Sequence, residues 1–277
     1  MTLPLISVVL PVRYVHEAWL RKSIESVLQQ DYPNKELIVV NDDATQDIDP
    51  LIREYGIHKY IKNDRNRKLP YSLNRGFEKA EGAFHTWTSA DNYMLPGMLS
   101  RLYREFLGNP SIDIAVGRYL LIDDAGNVIG ERVKSLDDFL RKAGADPLNP
   151  TIPRRYCYYG TIGAAFLYRA GVWTRNGGYD ETIHGAEDYK FWIVASRCAH
   201  IELLSNREAP LYAYRLHGES MSTTVRNCFT HMRLNVLLGE LRYSWNDRYL
   251  WINIARIIMI ILYGHGHDVV KSLFSRK

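Results

Sequence analysis

Cysteine is scarce in this chain. There are three in 277 residues, Cys157, Cys198 and Cys228, and no two stand in a C-x-x-C pair. That excludes a disulfide framework and a zinc ribbon, and it fits a reducing compartment. No G-x-G-x-x-G follows the first apolar run and no G-x-x-x-x-G-K-[ST] occurs anywhere, which argues against a Rossmann dehydrogenase and a P-loop enzyme. Charge of one sign is also lacking. A net +4 is too mild for a nucleic-acid partner, though it suits an anionic substrate or an acidic membrane surface. Met1-Thr2-Leu3-Pro4 runs straight into an apolar segment without a basic leader, so no secretory signal is expected. The apolar segment Tyr249–Tyr263 falls short of the roughly 20 residues that span a bilayer, and Asn253 and Arg256 interrupt it.

What is present is an ordinary globular composition, 46% hydrophobic and 24% charged, with a generous 19 tyrosines and 6 tryptophans that suit a sugar site or a core. Leu5–Leu10 reads as a buried parallel strand ended by Pro11, and Trp19–Gln29 has helical spacing. Glu36–Val40 is a second strand, Pro50–Tyr55 a short helix and Lys59–Ile61 a weak third strand. Tyr71–Ala80 is helical, with Gly82 expected to close it, and Ala83–Thr88 is a fourth strand. Strands alternating with helices predict a doubly wound, mostly parallel α/β sheet. Further on come a helix over Gly97–Leu107, the stretch Ile112–Ile122 with a hairpin turn at Asp123–Asn127, and a polar loop region from Val133 to Arg155 suited to facing an acceptor. Strands are expected over Gly160–Tyr168 and Leu211–Leu216, a turn at Gly177–Asp180, a helix over Glu187–Cys198, and two C-terminal helices over Asn227–Leu241 and Tyr249–Tyr263.

Two polar clusters sit where open α/β sheets do chemistry, at the carboxyl ends of strands, and a third opens a helix. Asn41-Asp42-Asp43 can accept hydrogen bonds from a nucleoside, or can form an Asx turn. Ser89-Ala90-Asp91-Asn92 offers one carboxylate to a hard cation that also holds phosphates, or caps the segment that follows. Glu187-Asp188 opens a helix, where the dipole favours acidic residues and should keep them ionised at neutral pH. An ionised carboxylate near a substrate hydroxyl is a general base. His217, at the end of Tyr214-Arg215-Leu216-His217, is a candidate metal or phosphate ligand, and Arg13 a candidate for offsetting diphosphate charge.

Taken in order, the segments Ile6–Val12, Ser23–Pro33, Glu36–Asp42, Leu73–Gly76, Ser89–Asn92, Gly177–Asp180, Gly185–Asp188 and Tyr214–His217 resemble the family 2 glycosyltransferases, inverting enzymes of the GT-A fold. The resemblance covers about residues 5–222. It implies a Rossmann-like, mostly parallel sheet flanked by helices. One catalytic domain is expected over 1–222, with a nucleotide-binding half to about 95 and an acceptor-binding half after it. A C-terminal helical extension follows over 223–277, facing a membrane or a partner, with peripheral membrane contact or homo-oligomer formation through 227–263. It further implies that Pro11, Val12, Arg13, Asp42, Asn74, Ser89 and Ala90 line the donor nucleotide site, that Asp91 and His217 contact a divalent Mn²⁺ or Mg²⁺ or the diphosphate, that Asp188 is the catalytic base, and that Glu187 stands on the acceptor side.

Three positions depart from the family pattern. Ser89 replaces the first acid of the D-x-D motif, Lys68 stands where glycine is common, and Leu73 where arginine often precedes the asparagine. The expected reaction moves a sugar from a nucleotide-diphosphate sugar, typically UDP-linked, to a hydroxyl of a glycan or lipid-linked glycan, in cell-surface polysaccharide synthesis at the cytoplasmic face of the membrane. Two rivals remain. A sugar nucleotidyltransferase would release pyrophosphate, and a non-catalytic nucleotide-sugar binder or partner subunit would release nothing.

Overall fold

A computed structural model describes residues 2–14, 16–132, 157–160, 162–204, 209–218 and 226–263. The polar loop region expected over 133–155 lies outside the described residues. The first half alternates as the sequence predicts: β1 (Ile6–Val12), α1 (Glu17–Leu28), β2 (Lys35–Asn41), α2 (Asp49–Glu54), β3 (Lys59–Lys62), α3 (Leu69–Phe77), β4 (Phe84–Trp87). A short β5 (Tyr93–Met94) and α4 (Met98–Gly108) lead to β6 (Ile114–Val116), β7 (Tyr119–Ile122) and β8 (Val128–Arg132). Then come β9 (Phe166–Arg169), α5 (Ala170–Asn176), α6 (Glu187–Ala195), β10 (Ile201–Leu203) and β11 (Tyr212–Arg215), and the chain closes with α7 (Arg226–Ser244) and α8 (Arg248–Tyr263).

Seven strands form the main sheet in the order β10-β6-β9-β4-β1-β2-β3. All pair in parallel except β9, which runs antiparallel between β4 and β6. β1 is central, in register from Ile6↔Lys35 to Val12↔Asn41 on one side and from Ile6↔Phe84 to Val9↔Trp87 on the other. Pro11 therefore falls where β4 has already ended, so its missing N–H removes no ladder bond on that side. Side chains alternate between two cores. Ile6, Val8, Leu10 and Val12 face one with α1 and α4, while Val9 faces the other, shared with α3, α6, α7 and α8.

A second sheet, β5-β11-β7-β8, is mixed, with β11 parallel to β7 and antiparallel to β5. The expected hairpin is there: Asp123 accepts from the backbone and amide side chain of Asn127. The stretch 112–122, however, is broken between the two sheets. At Gly117 a Cβ would lie 2.5 Å from Leu211 Cδ1, so only glycine lets the chain pass there. Gly82 is also not a helix cap. Helix α3 ends at Phe77 with Glu78 in right-handed conformation, and Gly82 instead lets the chain press onto β1, where a Cβ would meet the Ser7 backbone nitrogen at 2.7 Å. The expected strand over Gly160–Tyr168 shrinks to β9, Phe166–Arg169.

α7 and α8 are part of this body. Val236, Leu237, Leu250, Ile254 and Ile257 are buried in the same core as Ile38, Val40 and Trp192. No helix among the described residues is long and apolar enough to cross a membrane.

Candidate active site

The site is built from loops at the carboxyl ends of β1, β2, β4 and β11. After β4 the chain turns at Ser89–Asn92, Asn92 N donating to Ser89 O at 3.3 Å. Two anchors hold this turn. Ser23, fully buried on α1, donates its hydroxyl to Ser89 O at 2.8 Å, and the Tyr212 hydroxyl of β11 lies 2.8 Å from Thr88 Oγ1. Ser89 is thus held by its backbone, while Asp91 turns outward, its side chain 29% exposed.

His217 comes from the far end of β11, and its Nε2 stands 3.1 Å from Asp91 Oδ2. Arg215 locks the two together. It is 3% exposed; its Nε donates to Asp91 O at 3.0 Å, its Nη1 to the carbonyls of Asp123 and Asp124 at 2.7 and 2.8 Å, and its backbone N to Asn92 Oδ1 at 2.7 Å. Its guanidinium lies 4.5 Å from the Trp19 ring centroid, and that ring also meets His217 at 5.1 Å. Sequence reasoning gave Arg215 and Trp19 no role. The one available signal was an arginine inside a strand that is otherwise apolar or aromatic, a position where an unpaired charge is expensive.

Among the described residues no three His, Cys, Asp or Glu side chains gather as a metal cage. A carboxylate and an imidazole side by side fit Mn²⁺ or Mg²⁺ when donor phosphates and water complete the shell.

At the end of β2 the structure shows the turn reading of the acidic cluster. Asn41 Oδ1 accepts from Ala44 N at 2.8 Å, an Asx turn. Asp42, 3% exposed, accepts from Asn63 Nδ2 (2.8 Å), Arg67 N (2.7 Å) and Lys68 N (2.9 Å). Its carboxylate clamps the loop before α3. Asp42 N donates to Val12 O, and Arg13 pairs with Asp43 at 3.0 Å. A cleft of about 310 Å³ opens here, lined by Asn41, Asp43, Thr45, Asp47, Lys62 and Asn63 among others. The clamped loop gives the reason that glycine is common at position 68 and leaves lysine strained there. Its backbone takes φ 74° and ψ 164°, a region populated essentially by glycine.

Asn74 lies apart from that cleft. Its amide donates to Tyr179 O and Glu181 Oε1, both at 2.8 Å, and accepts from Tyr179 N. It ties α3 to the left-handed turn at Gly177 and Gly178 (φ 73° and 79°).

Glu187 and Asp188 open α6 as expected, but the expectation that the helix dipole keeps Glu187 fully ionised at neutral pH is corrected. Burial raises both pKa values, and Glu187, 4% exposed and beside the Asp188 charge, is pushed up to about 7. Desolvation here outweighs the dipole and the backbone N–H bonds from Gly185 to Glu187 and from Tyr189 to Asp188. Arg233 on α7 acts on Asp188 in the opposite direction.

A family model, Glycosyl transferase family 2, matches residues 7–162, more than half of the chain. The chain belongs to glycosyltransferase family 2. The expected family and enzyme class are thereby borne out. An uncharacterized glycosyltransferase of Haemophilus influenzae is 29% identical to it over 288 residues, covering 98% of this chain and 84% of that protein. One of Rickettsia felis is 26% identical over 229 residues, and this chain spans only 36% of its length. The crystal structure of S. aureus TarS 1–349, in complex with UDP-GlcNAc, superposes with a TM-score of 0.68 at 19% identity, over 93% of this chain and 73% of that one. That likeness shows the fold, and the GT-A sheet inferred from the sequence is the one observed.

Proposed function

We propose that this family 2 glycosyltransferase moves a sugar, with inversion, from a UDP-sugar to a hydroxyl of a glycan or lipid-linked glycan. The observation that carries the reading is the Asp91–His217 contact, which brings a carboxylate and an imidazole to one point at the carboxyl edge of the sheet. The donor's nucleoside would lie over the ends of β1 and β2, at Pro11, Val12 and Arg13, against the loop that Asp42 clamps. The UDP-GlcNAc complex of TarS supports that donor class. Asp91 and His217 would hold the diphosphate end. A divalent cation bound there would supply charge neutralisation for the leaving diphosphate.

Asp188 is the base in this reading. As the acceptor oxygen attacks the anomeric carbon, the bond to the diphosphate breaks on the opposite face and the hydroxyl proton passes to Asp188. Its raised pKa makes it a better proton acceptor than a solvated aspartate. Glu187 lies beside it on the acceptor side.

The outer face of α8 supports work at a membrane surface on a cell-surface polysaccharide precursor. Trp251, Ile252, Ile258 and Leu262 are exposed, with Trp245 just before them. This suits an interfacial helix beside basic flanks.

The test is a thermal-shift panel of nucleoside diphosphates and nucleotide sugars with and without Mg²⁺ or Mn²⁺. A ligand at about 100 times its dissociation constant stabilises the fold by about 2.7 kcal/mol. A cation-dependent shift with UDP and UDP-sugars is expected. A shift confined to nucleoside triphosphates, with pyrophosphate released, would overturn the reading.

A further inference from the structure

The C-terminal helices close over the Glu187–Asp188 end of α6. A Cβ at Gly185 (φ 83°) would lie 2.3 Å from Phe229 Cε1 on α7. At Gly160 (φ 69°) it would lie 2.9 Å from Arg233 Nη2, so the Arg233 guanidinium lies against the backbone there. Arg233 Cζ sits 4.5 Å from the ring centroid of Tyr189, the residue after Asp188, and Tyr189 donates its hydroxyl to Tyr158 O at 2.7 Å. Arg256, from α8, sits 5.4 Å over the Tyr159 ring.

Both arginines are half-buried, and neither forms an ion pair with a described residue. Arg233 Nε is shut off from solvent without a hydrogen-bond partner. Burial works against the Arg256 charge and the Arg233 charge adds to it; the groups that favour it are the phenols of Tyr159 and Tyr189, and no carboxylate contributes. The Asp188 carboxylate acts on Arg233 alone, so one anion faces two partly desolvated cations, and the second charge is costly unless a further anion joins them. Tyrosine faces offset only part of that cost. The shape also matters. Two planar guanidinium forks come from separate helices and feel each other's charge, and such forks are the donors that suit a tetrahedral dianion.

We infer that Arg233 and Arg256 form an anion-binding site beside Asp188 that takes a phosphoryl group of the acceptor. The inference rests on Asp188 marking the acceptor side. A phosphoryl group gripped there would hold the acceptor while its hydroxyl is presented to Asp188. The C-terminal helices would then complete the acceptor site as well as the core.

The test uses the full chain, titrated calorimetrically first with UDP and then, UDP-saturated with Mg²⁺ present, with inorganic phosphate. The UDP titration judges the donor reading by itself. The phosphate titration judges the arginine pair. In the wild type, phosphate should bind the UDP-loaded chain. Arg256→Gln and Arg233→Gln should each weaken that binding about tenfold or more, while Arg256→Lys loses less and UDP affinity stays within about twofold. Equal phosphate affinity in wild type and both glutamine variants would overturn the proposal. So would a parallel fall in UDP affinity, which would give the arginines to the donor.

Two sources of the phosphoryl group are then separated with a detergent-dispersed polyprenyl phosphate and a soluble hexose phosphate. Binding tighter than inorganic phosphate identifies the acceptor type. If neither exceeds inorganic phosphate, the assignment to an acceptor fails.

Discussion

His217 and Asp91 are 126 positions apart in sequence and 3.1 Å apart in space, Nε2 to Oδ2. If the two act as one unit on the donor diphosphate, their effects on binding are coupled. Asp91→Ala and His217→Ala should each weaken cation-dependent UDP binding by about tenfold, and the double variant should lose less than the two losses combined. A coupling of about 0.5–3 kcal/mol is the range for residues in contact. Calorimetric titration of UDP with Mg²⁺ measures it. Full additivity would mean that the two contact the donor independently.

Asp188→Asn removes the proton acceptor and little else, since the side chain keeps its size and the Tyr189 N–H can still find an oxygen. Turnover should fall on the order of 10²-fold or more with UDP affinity unchanged. In the wild type the rate should rise with pH as Asp188 loses its proton, because its pKa is raised by burial. That rise should vanish from the residual activity of the variant. Turnover at the wild-type level in Asp188→Asn would remove it from the mechanism.

Glu187 makes a separate prediction about stability. Its carboxyl ionises near pH 4.5 when unfolded and is pushed up to about 7 in the fold. Between those values the native state binds more protons than the unfolded state, so its contribution is full below pH 4.5 and is lost as pH rises through 7. Glu187→Gln keeps a neutral side chain in place and should remove this loss. Melting curves from pH 4.5 to 8 should show the variant gaining on the wild type as pH rises, and parallel curves would contradict the assignment.

Lys68 holds a glycine-type backbone, φ 74° and ψ 164°, so that its N–H can reach Asp42 at 2.9 Å. Lys68→Gly should relieve strain and stabilise the fold by about 1 kcal/mol, read from urea denaturation. Asp42→Ala should destabilise it by about 2–3 kcal/mol, because two backbone donors and the Asn63 amide lose a charged acceptor. The sign difference between two residues of one hydrogen bond is the diagnostic.

The sequence by itself determined the alternation of strands and helices through residue 88, because apolar runs such as Ile6–Leu10 and Ile38–Val40 are bounded by polar turn residues at nearly every element. It also placed the acidic clusters at strand ends, since carboxylates in that position interrupt apolar runs visibly. It did not reveal the antiparallel β9, whose Phe166–Arg169 reads like any buried strand and whose direction depends on a distant pairing with β4 and β6. Nor did it reveal Arg215, which is legible as functional only when Asp91, Asp123, Asp124 and Trp19 are seen around it.

The charge state of Glu187, and the upward shift of Asp188, were likewise decided by tertiary structure. A helix N-terminus is a local feature and argues for ionised carboxylates, whereas desolvation comes from everything packed around them, and here it is the larger effect. Local sequence carries periodicity, turn chemistry and capping. Burial, converging charges and the meeting of His217 with Asp91 arise from contacts between residues far apart in the chain, and only the folded molecule holds them.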